Sequence, residues 1–327
     1  MKDVDLNIRQ LRYYVKVIET GSITRASELL FIAQPALSLS IKQLEESFGV
    51  PLLSRHSRGV EPTAAGELLF TRAQMLFNFI DQMRTDVSSF GRANQRSFSL
   101  GLPPSLMALV GTEAILSSQT NLENTTLTLR EDPSFVLTEA VENKEINLAF
   151  SYAPIERTGI RSLAMVQEIP LLVTRSDLAP ERTVISLEEA LRYPIAHGGK
   201  RDVGRSCLEF VTSERNLPFE IAYEMQSIAG IRDIVIRGIA ASILPYGAVC
   251  REVERGSIAI RRIDEPLLKH TMHLIRPANM GTPLSKEIPG LIPYLIDLIN
   301  EIVNKQQGYA KKIGSNESLY DFFETDY

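Results

Sequence analysis

Along residues 7–20 the apolar positions Ile8, Leu11, Val15 and Ile18 recur every three or four residues, the period of a helix with one dry face. Gly21 ends this segment and Ser22 is placed to cap the next, over 23–30, which turns Ile23, Ala26 and Leu30 inward. A short turn, Phe31-Ile32-Ala33, leads to a third helix from Gln34, with Pro35 in the first turn where its missing N–H costs nothing. Its apolar stripe is Leu37, Ile41, Leu44 and Phe48, and Gly49 closes it. Residues 50–62 place two short apolar runs around a basic turn with Gly59, which predicts a hairpin carrying Arg55, His56 and Arg58. Residues 63–91 then predict one long helix. Leu69, Ala73, Leu76, Ile80, Met83, Val87 and Phe90 alternate at four and three, an unbroken heptad seam. Such a seam suits either a partner helix in a dimer or the surface of the following domain, and the dimer is favoured.

Beyond this helix the pattern changes. Ser97–Leu102, Thr126–Arg130, Asn147–Phe150, Pro170–Thr174, Pro194–His197, Ile221–Met225 and Ser242–Pro245 predict strands. Helical patterns lie between them, for example at 134–144, 203–215, 227–237 and 285–304. Strands alternating with helices predict an α/β architecture with a largely parallel sheet. Residues 305–327 mix charge, Gly, Ser and aromatics without a period and predict a flexible tail.

Composition narrows the class. The 327 residues are 44% hydrophobic and 23% charged, a globular profile. No stretch reaches the length of a membrane span, and the N-terminus has no apolar core of a secretory signal. Cys207 and Cys250 are the only cysteines and lie far apart, so no disulfide framework organises the fold, and a cytoplasmic location fits. The net charge of −5 argues against indiscriminate polyanion binding. Residues 1–62 hold eight Lys/Arg and seven Asp/Glu, so any nucleic-acid role rests on pattern and not on bulk charge.

Two short helices joined by a tight turn form the helix-turn-helix pattern, although helix pairs of this kind are also ordinary packing units. The polar face of the third helix carries Gln34, Ser38, Ser40, Lys42 and Gln43, groups suited to base edges and phosphates. The basic hairpin tip suits phosphate or minor-groove contact.

The run from Leu11 to Leu69 resembles the N-terminal domain of the LysR-type transcriptional regulators, continuously over about residues 8–68. The resemblance is carried by the GSITRASELL approach, the QPALS start of the third helix, the QLEESFG exit, the LLSRHSRG hairpin and the TAAG start of the long helix. It implies a winged helix-turn-helix over 1–62 and a linker helix over 63–92 that joins two copies. An effector-binding domain over 97–304 would follow, split into two Rossmann-like lobes of the periplasmic-binding-protein type. Lobe I would comprise about 97–165 and 268–304, and lobe II about 166–267, with crossovers near Ala164–Glu168 and Arg262–Lys269.

By the same resemblance Thr24, Arg25, Gln34, Pro35, Ser38, Leu39, Lys42, Arg55 and Arg58 would contact promoter DNA. Leu39 departs from the family, which usually has Arg, Lys or Gln there; it can touch a thymine methyl but cannot hydrogen-bond a base. The resemblance further implies transcriptional regulation by a dimer or tetramer, no enzymatic activity and no cofactor, with RNA polymerase as a further partner. The Gly101-Leu102-Pro103-Pro104-Ser105 opening resembles the subgroup of the nitrogen assimilation control regulators. Whether such a chain needs an effector stays open at this stage.

In parallel α/β sheets ligands sit beyond the carboxyl ends of strands, in the crevice between lobes. Those positions hold Pro104, Ser105, Leu106, Ser134, Tyr152, His197, Gly198, Gln226 and Ser227. Hydroxyls, helix-start N–H groups and one histidine suit a small anion. Ser at a helix start is as often a cap as a ligand contact. Other constellations fail. His270 and His273 on one strand would point to opposite faces and not to one metal. Gly198-Gly199-Lys200-Arg201 lacks phosphate-loop spacing, and Cys207 has no near partner of the kind peroxide-sensing relatives use. A solute-binding or enzymatic domain with a helical appendage is disfavoured, because neither a catalytic constellation nor an export signal is visible.

Overall fold

The computed structural model of the chain describes residues 7–56, 59–89, 96–152, 157–279 and 282–324. It divides into two compact units, Met1–Ala93 and Asn94–Tyr327.

The first unit runs α1 (Ile8–Thr20), α2 (Ile23–Leu29), α3 (Gln34–Phe48), β1 (Leu53–His56), β2 (Gly59–Pro62) and α4 (Ala64–Ser89). The Asn7 side chain accepts from Arg9 N at 2.9 Å and starts α1; Gly21, at φ 63°, ends it in the left-handed region. The dry face of α1 centres on Leu11, Tyr14 and Val17, while Ile8 is exposed and Val15 and Ile18 are half-buried. The face is rotated from the expected one because Tyr14 turns inward, its hydroxyl reaching Leu52 O at 3.5 Å. Burial pushes that phenol up to about 12. Leu11, Val17, Ala26, Leu37, Ile41 and Leu44 complete the core.

Glu45, from α3, accepts from Leu52 N at 2.8 Å and Leu53 N at 3.1 Å, tying the third helix to the start of the hairpin. The first turn of α4 packs directly on this junction. A Cβ on Gly66 would meet Leu52 O at 2.1 Å, so only glycine fits there. The heptad seam expected along α4 is partly used at home. Ala73 is buried, and Leu69 and Leu76 pack on the unit's own core, while Leu68, Phe79 and Met83 are exposed. Phe90 lies outside the described residues.

The second unit alternates as foreseen but its sheets are mixed. After β3 (Arg96–Leu102) come α5 (Pro104–Asn121), β4 (Thr125–Glu131), α6 (Ser134–Glu142), β5 (Leu148–Ser151) and β6 (Ile160–Glu168). The chain then enters a second sheet through β7 (Leu171–Arg175), β8 (Val184–Ile185), α7 (Leu187–Ala190), β9 (Ile195–His197), α8 (Val203–Glu214), β10 (Ile221–Glu224), α9 (Ile228–Ile236), β11 (Ser242–Leu244), α10 (Cys250–Glu254) and β12 (Ile258–Ile263). It returns through β13 (His270–Pro277), α11 (Leu284–Glu287), α12 (Leu291–Lys305), β14 (Ala310–Lys312) and α13 (Asn316–Glu324).

The first sheet has the order β14-β6-β13-β5-β3-β4, parallel only among β3, β4 and β5. β13 is antiparallel to β5 and β6, and β14 is antiparallel to β6. The second sheet has the order β11-β7-β12-β8, with β7 antiparallel to both neighbours; β9 and β10 form a parallel pair linked to it through Ile195 and Ala241. The expectation of a largely parallel sheet therefore fails. The chain leaves the first lobe along β6 and re-enters along β13, and these two adjacent strands must run opposite ways. Segments that read as crossovers are in part the ends of long strands, with links at 169–170 and 264–269 between the lobes.

The helix expected at 285–304 is broken by Gly290, at φ 81°, where a Cβ would meet Asn121 O at 2.0 Å. The expected flexible tail is also corrected. β14 extends the first sheet, Ile169 N donates to Tyr309 O at 2.9 Å, and α13 buries Leu319, Phe322 and Phe323. Arg276, 1% exposed, donates to Phe322 O at 2.9 Å and stacks its guanidinium on the Phe322 ring at 5.1 Å. The short amphipathic helix was masked in the sequence by the polar residues around it.

Candidate functional site

The α2–α3 pair presents one continuous polar surface. Gln34, Pro35, Leu39 and Lys42 are exposed and Ser38 is half-buried on the side of α3 opposite Leu37, Ile41 and Leu44. The spacing of one helical turn lets Gln34 Nε2 reach Ser38 Oγ at 3.5 Å, and Lys42 pairs with Glu46 at 3.6 Å. Leu39 is 56% exposed, an apolar spot in the middle of this face. Thr24 and Arg25 are exposed on α2, just behind its Ser22 cap. Phe31 in the intervening turn has φ 54° and is 95% exposed, a residue the sequence reading did not single out. Arg55 lies in β1, opposite Val60; Arg58 falls outside the described residues.

In the second unit a cavity of about 90 Å³ gathers Pro104, Ser105, Ser134, Tyr152, His197, Gly198 and Gln226 from both lobes. Leu106 is not among them: it points into the core of the first lobe, fully buried. Ser227 lines an adjacent, larger recess of about 370 Å³, which it shares with Gln226, and its hydroxyl caps α9 by accepting from Gly230 N at 3.2 Å. Among the described residues no cluster of three or more His, Cys, Asp or Glu could hold a metal, and no helix is long and apolar enough to cross a membrane.

The cavity is walled by helix starts: those of α5, α6, α8 and α9 all contribute lining residues. Each start brings a positive partial charge; those of α5 and α6 have no side-chain cap, while Asp202 and Ser227 cap α8 and α9. Ser105 Oγ and Tyr152 Oη lie 3.0 Å apart, and Tyr152 N donates to Ser134 Oγ at 3.2 Å. His197 Nδ1 accepts from Gly198 N at 2.8 Å and lies 3.6 Å from Asp202, whose carboxylate caps α8 through Arg205 N at 3.0 Å. Burial holds the His197 imidazole below its ordinary range, with Asp202 opposing that shift.

Four features escaped the sequence reading. His270, from β13, joins the cavity, its ring edge-on to Tyr152 at 6.0 Å; burial lowers it to about 4. Arg201 spans the lobes, stacked 4.1 Å from the Phe135 ring and paired with Glu139. Behind the cavity Glu168 is fully buried, bonded to Gln306 and facing Tyr152; burial raises it to about 7. Asp202 positions the first turn of α8 against His197. Only the strand periodicity around His270 offers a hint, since it predicts that His270 and His273 diverge. They do: His273 bonds Ser162 at 3.0 Å, on the other side.

Residues 8–67 match the family described as bacterial regulatory helix-turn-helix protein, lysR family, and residues 91–288 match the LysR substrate binding domain. The chain belongs to the LysR family. It is a transcriptional regulator and not an enzyme. The chain is 28% identical over 304 residues to the nitrogen assimilation regulatory protein nac of Escherichia coli (strain K12), covering 92% of this chain and 98% of that one. It is 26% identical over 277 residues to the HTH-type transcriptional regulator BbuR of Bordetella bronchiseptica, covering 84% and 83%. Its fold is similar to that of the LysR family regulator CbnR, with a TM-score of 0.66 at 19% identity, over 94% of this chain and 100% of CbnR. The structure of full-length CbnR with its target DNA gives the same TM-score over 92% of this chain. The LysR-type chain thus has the helix-turn-helix and the two-lobed domain in which the cavity lies.

Proposed function

We propose that this LysR-type regulator reads promoter DNA with residues 1–62, pairs through its 63–92 helix, and is switched by a small anion held in the cavity of its 97–304 domain. Gln34, Pro35, Ser38, Leu39 and Lys42 enter the major groove, with Thr24 and Arg25 beside them and Arg55 and Arg58 on the flanking backbone. Pairing uses the exposed stripe of α4 around Leu68, Phe79 and Met83, and two dimers form a tetramer on a dyad-symmetric site. Ser105, Ser134, Tyr152, His197, Gly198 and Gln226 surround the effector. Lobe closure upon it shifts the subunit arrangement that RNA polymerase meets, a change of population driven by differential affinity. The protein acts in the cytoplasm, at the nucleoid.

The observation that carries this reading is the cavity itself: convergent helix starts and two buried imidazoles with free Nε2 capacity in a domain of the effector-binding kind. Footprinting on the intergenic DNA upstream of its own gene, with and without small carboxylates and amino acids, tests it. Tight, salt-sensitive protection that shortens or shifts with one compound is expected. Absence of specific binding there and in a genome-wide selection rejects the DNA-reading role. A footprint that no compound alters rejects the switch and leaves an effector-independent regulator.

A further inference from the structure

We propose that the cavity binds a small carboxylate through His197 and His270 with the uptake of one proton, which His270 carries. This rests on the effector-cavity reading above and adds the ligand's chemistry and its coupling to pH.

The geometry comes first. His197 is 2% exposed and His270 6%, and both line the cavity; neither Nε2 makes a well-formed hydrogen bond, although the Ile243 backbone lies close to the His197 ring and favours its charged form. Buried polar nitrogens without partners are rare and costly, so a pair of them in one cavity marks an unmet demand for a ligand atom. The two rings converge on one point. A Cβ on Gly204, in the first turn of α8, would lie 3.1 Å from both His197 Cε1 and Asp202 Oδ1 and 3.2 Å from His270 Cε1, so the ring edges meet beside the Asp202 carboxylate and the ligand's own carboxylate lies on the Nε2 side, away from it. Glycine at that position keeps the space between the imidazoles open.

The two rings are not equivalent. His197 Nδ1 already accepts from Gly198 N, so the ring's own proton sits on Nε2, as a neutral donor. His270 has no such constraint. Burial by itself keeps it neutral, and an anion at its Nε2 would favour the charged ring. The proton comes from solvent and ends on His270, leaving the bound carboxylate with one imidazolium and one neutral N–H donor. Charged neighbours permit this. Asp202, at the start of α8, faces both rings and favours the cation; His197, on β9, opposes it. Behind Asp202, Arg205 is held by Glu209 at 2.7 Å and Glu224 at 2.5 Å. On β6, Glu168 pairs in register with His270, but its carboxyl bonds Gln306 and faces Tyr152.

The walls select the rest of the ligand. Pro103, Pro133, Phe135, Ile231 and Ile243 are apolar, so the ligand carries a short hydrocarbon body and is not a bare inorganic anion.

The test uses the full chain and butyrate. The protein has four histidines, so their Cε1–H resonances can be followed singly by NMR from about pH 5 to 8. Without butyrate, His270 should stay neutral throughout. With saturating butyrate, His270 should titrate within the range, and affinity should tighten by up to about tenfold for each pH unit lost. His270→Gln should bind at the alkaline end yet show a flat pH dependence. His273→Gln, on the same strand but facing Ser162, should keep the slope and control for folding. Butyrate that binds equally across the range with His270 neutral overturns proton uptake. Butyrate that leaves both resonances unmoved at about 100 mM, against the millimolar dissociation constants of weak small ligands, overturns the carboxylate assignment. Footprinting with the wider compound panel then decides the effector reading separately.

Discussion

The face of α3 and the cavity of the second unit both assemble polar groups at helix starts, yet their energetic states are opposite. On α3, Lys42 is 69% exposed and its pair with Glu46 spans 3.6 Å, a surface contact worth little. Gln34 and Ser38 are hydrated and lightly bonded to each other. Such a face contributes little to folding and would give up water for the proposed phosphate and base contacts at small cost. In the cavity, His197 and His270 are buried and make no well-formed hydrogen bond at Nε2. Buried nitrogens without partners cost stability, and a ligand of the proposed kind would recover part of that cost. The first surface lies open to solvent; the second holds unmet hydrogen-bonding capacity.

The largest test of this contrast asks whether the units fold separately. Ile41→Asp buries an unpaired carboxylate in the first core and should cost more than about 4 kcal/mol. Hydrogen exchange should then show residues 7–89 unprotected and the second unit still protected. Loss of protection in both would show that their folding is coupled.

Next is Glu168. Its buried carboxyl is raised to about 7, so the folded state holds a proton that the unfolded chain releases near pH 4.5. The folded form therefore binds more protons between these values, and stability should fall as pH rises from about 4.5 to 7. Glu168→Gln keeps a neutral hydrogen-bonding group and should flatten this dependence, gaining on the order of 3 kcal/mol above pH 7. Denaturant melts at pH 5 and 8 read it. An unchanged slope would mean that Glu168 is ionised in the fold and matched by Tyr152 and Gln306.

The smallest effect concerns the hydrated face. Lys42→Ala should leave the melt within about 0.5 kcal/mol. It should also reduce the salt dependence of DNA binding by about one phosphate's worth. An altered base preference at constant salt slope would assign Lys42 to a base instead.

These regions also differ in how far the sequence reveals them. The helix-turn-helix is local: Gly21, Ser22, Pro35 and Gly49 punctuate three short helices within fifty residues, and each acts on its neighbours in the chain. The exposed face of α3 followed from the period of its apolar residues. Of the cavity, Ser105, Ser134, His197 and Gly198 were legible because each follows a strand that opens into a helix or tight turn. His270 was not, because it enters at the beginning of β13 and faces the cavity only through the return of the chain from the second lobe. Leu106 was misplaced by one step around a helix: Ser105 faces the cavity and the next residue faces the core. Sequence position cannot separate these two without the direction of α5. The fate of residues 305–324 was hidden for a related reason. A three-residue strand shows its nature only against β6, some 140 positions earlier.

That last pairing has a consequence for how the protein is made. The first lobe opens at Arg96, yet its sheet is closed by β13 and edged by β14, with α13 laid against it last. A ribosome must synthesise β7 to β12, the whole second sheet, before β13 can slip between β5 and β6. During that interval β5 and β6 lack their common neighbour, and their open edges are hazards for wrong pairing. The nascent chain thus carries the complete helix-turn-helix unit well ahead of the strands that complete the two-lobed domain.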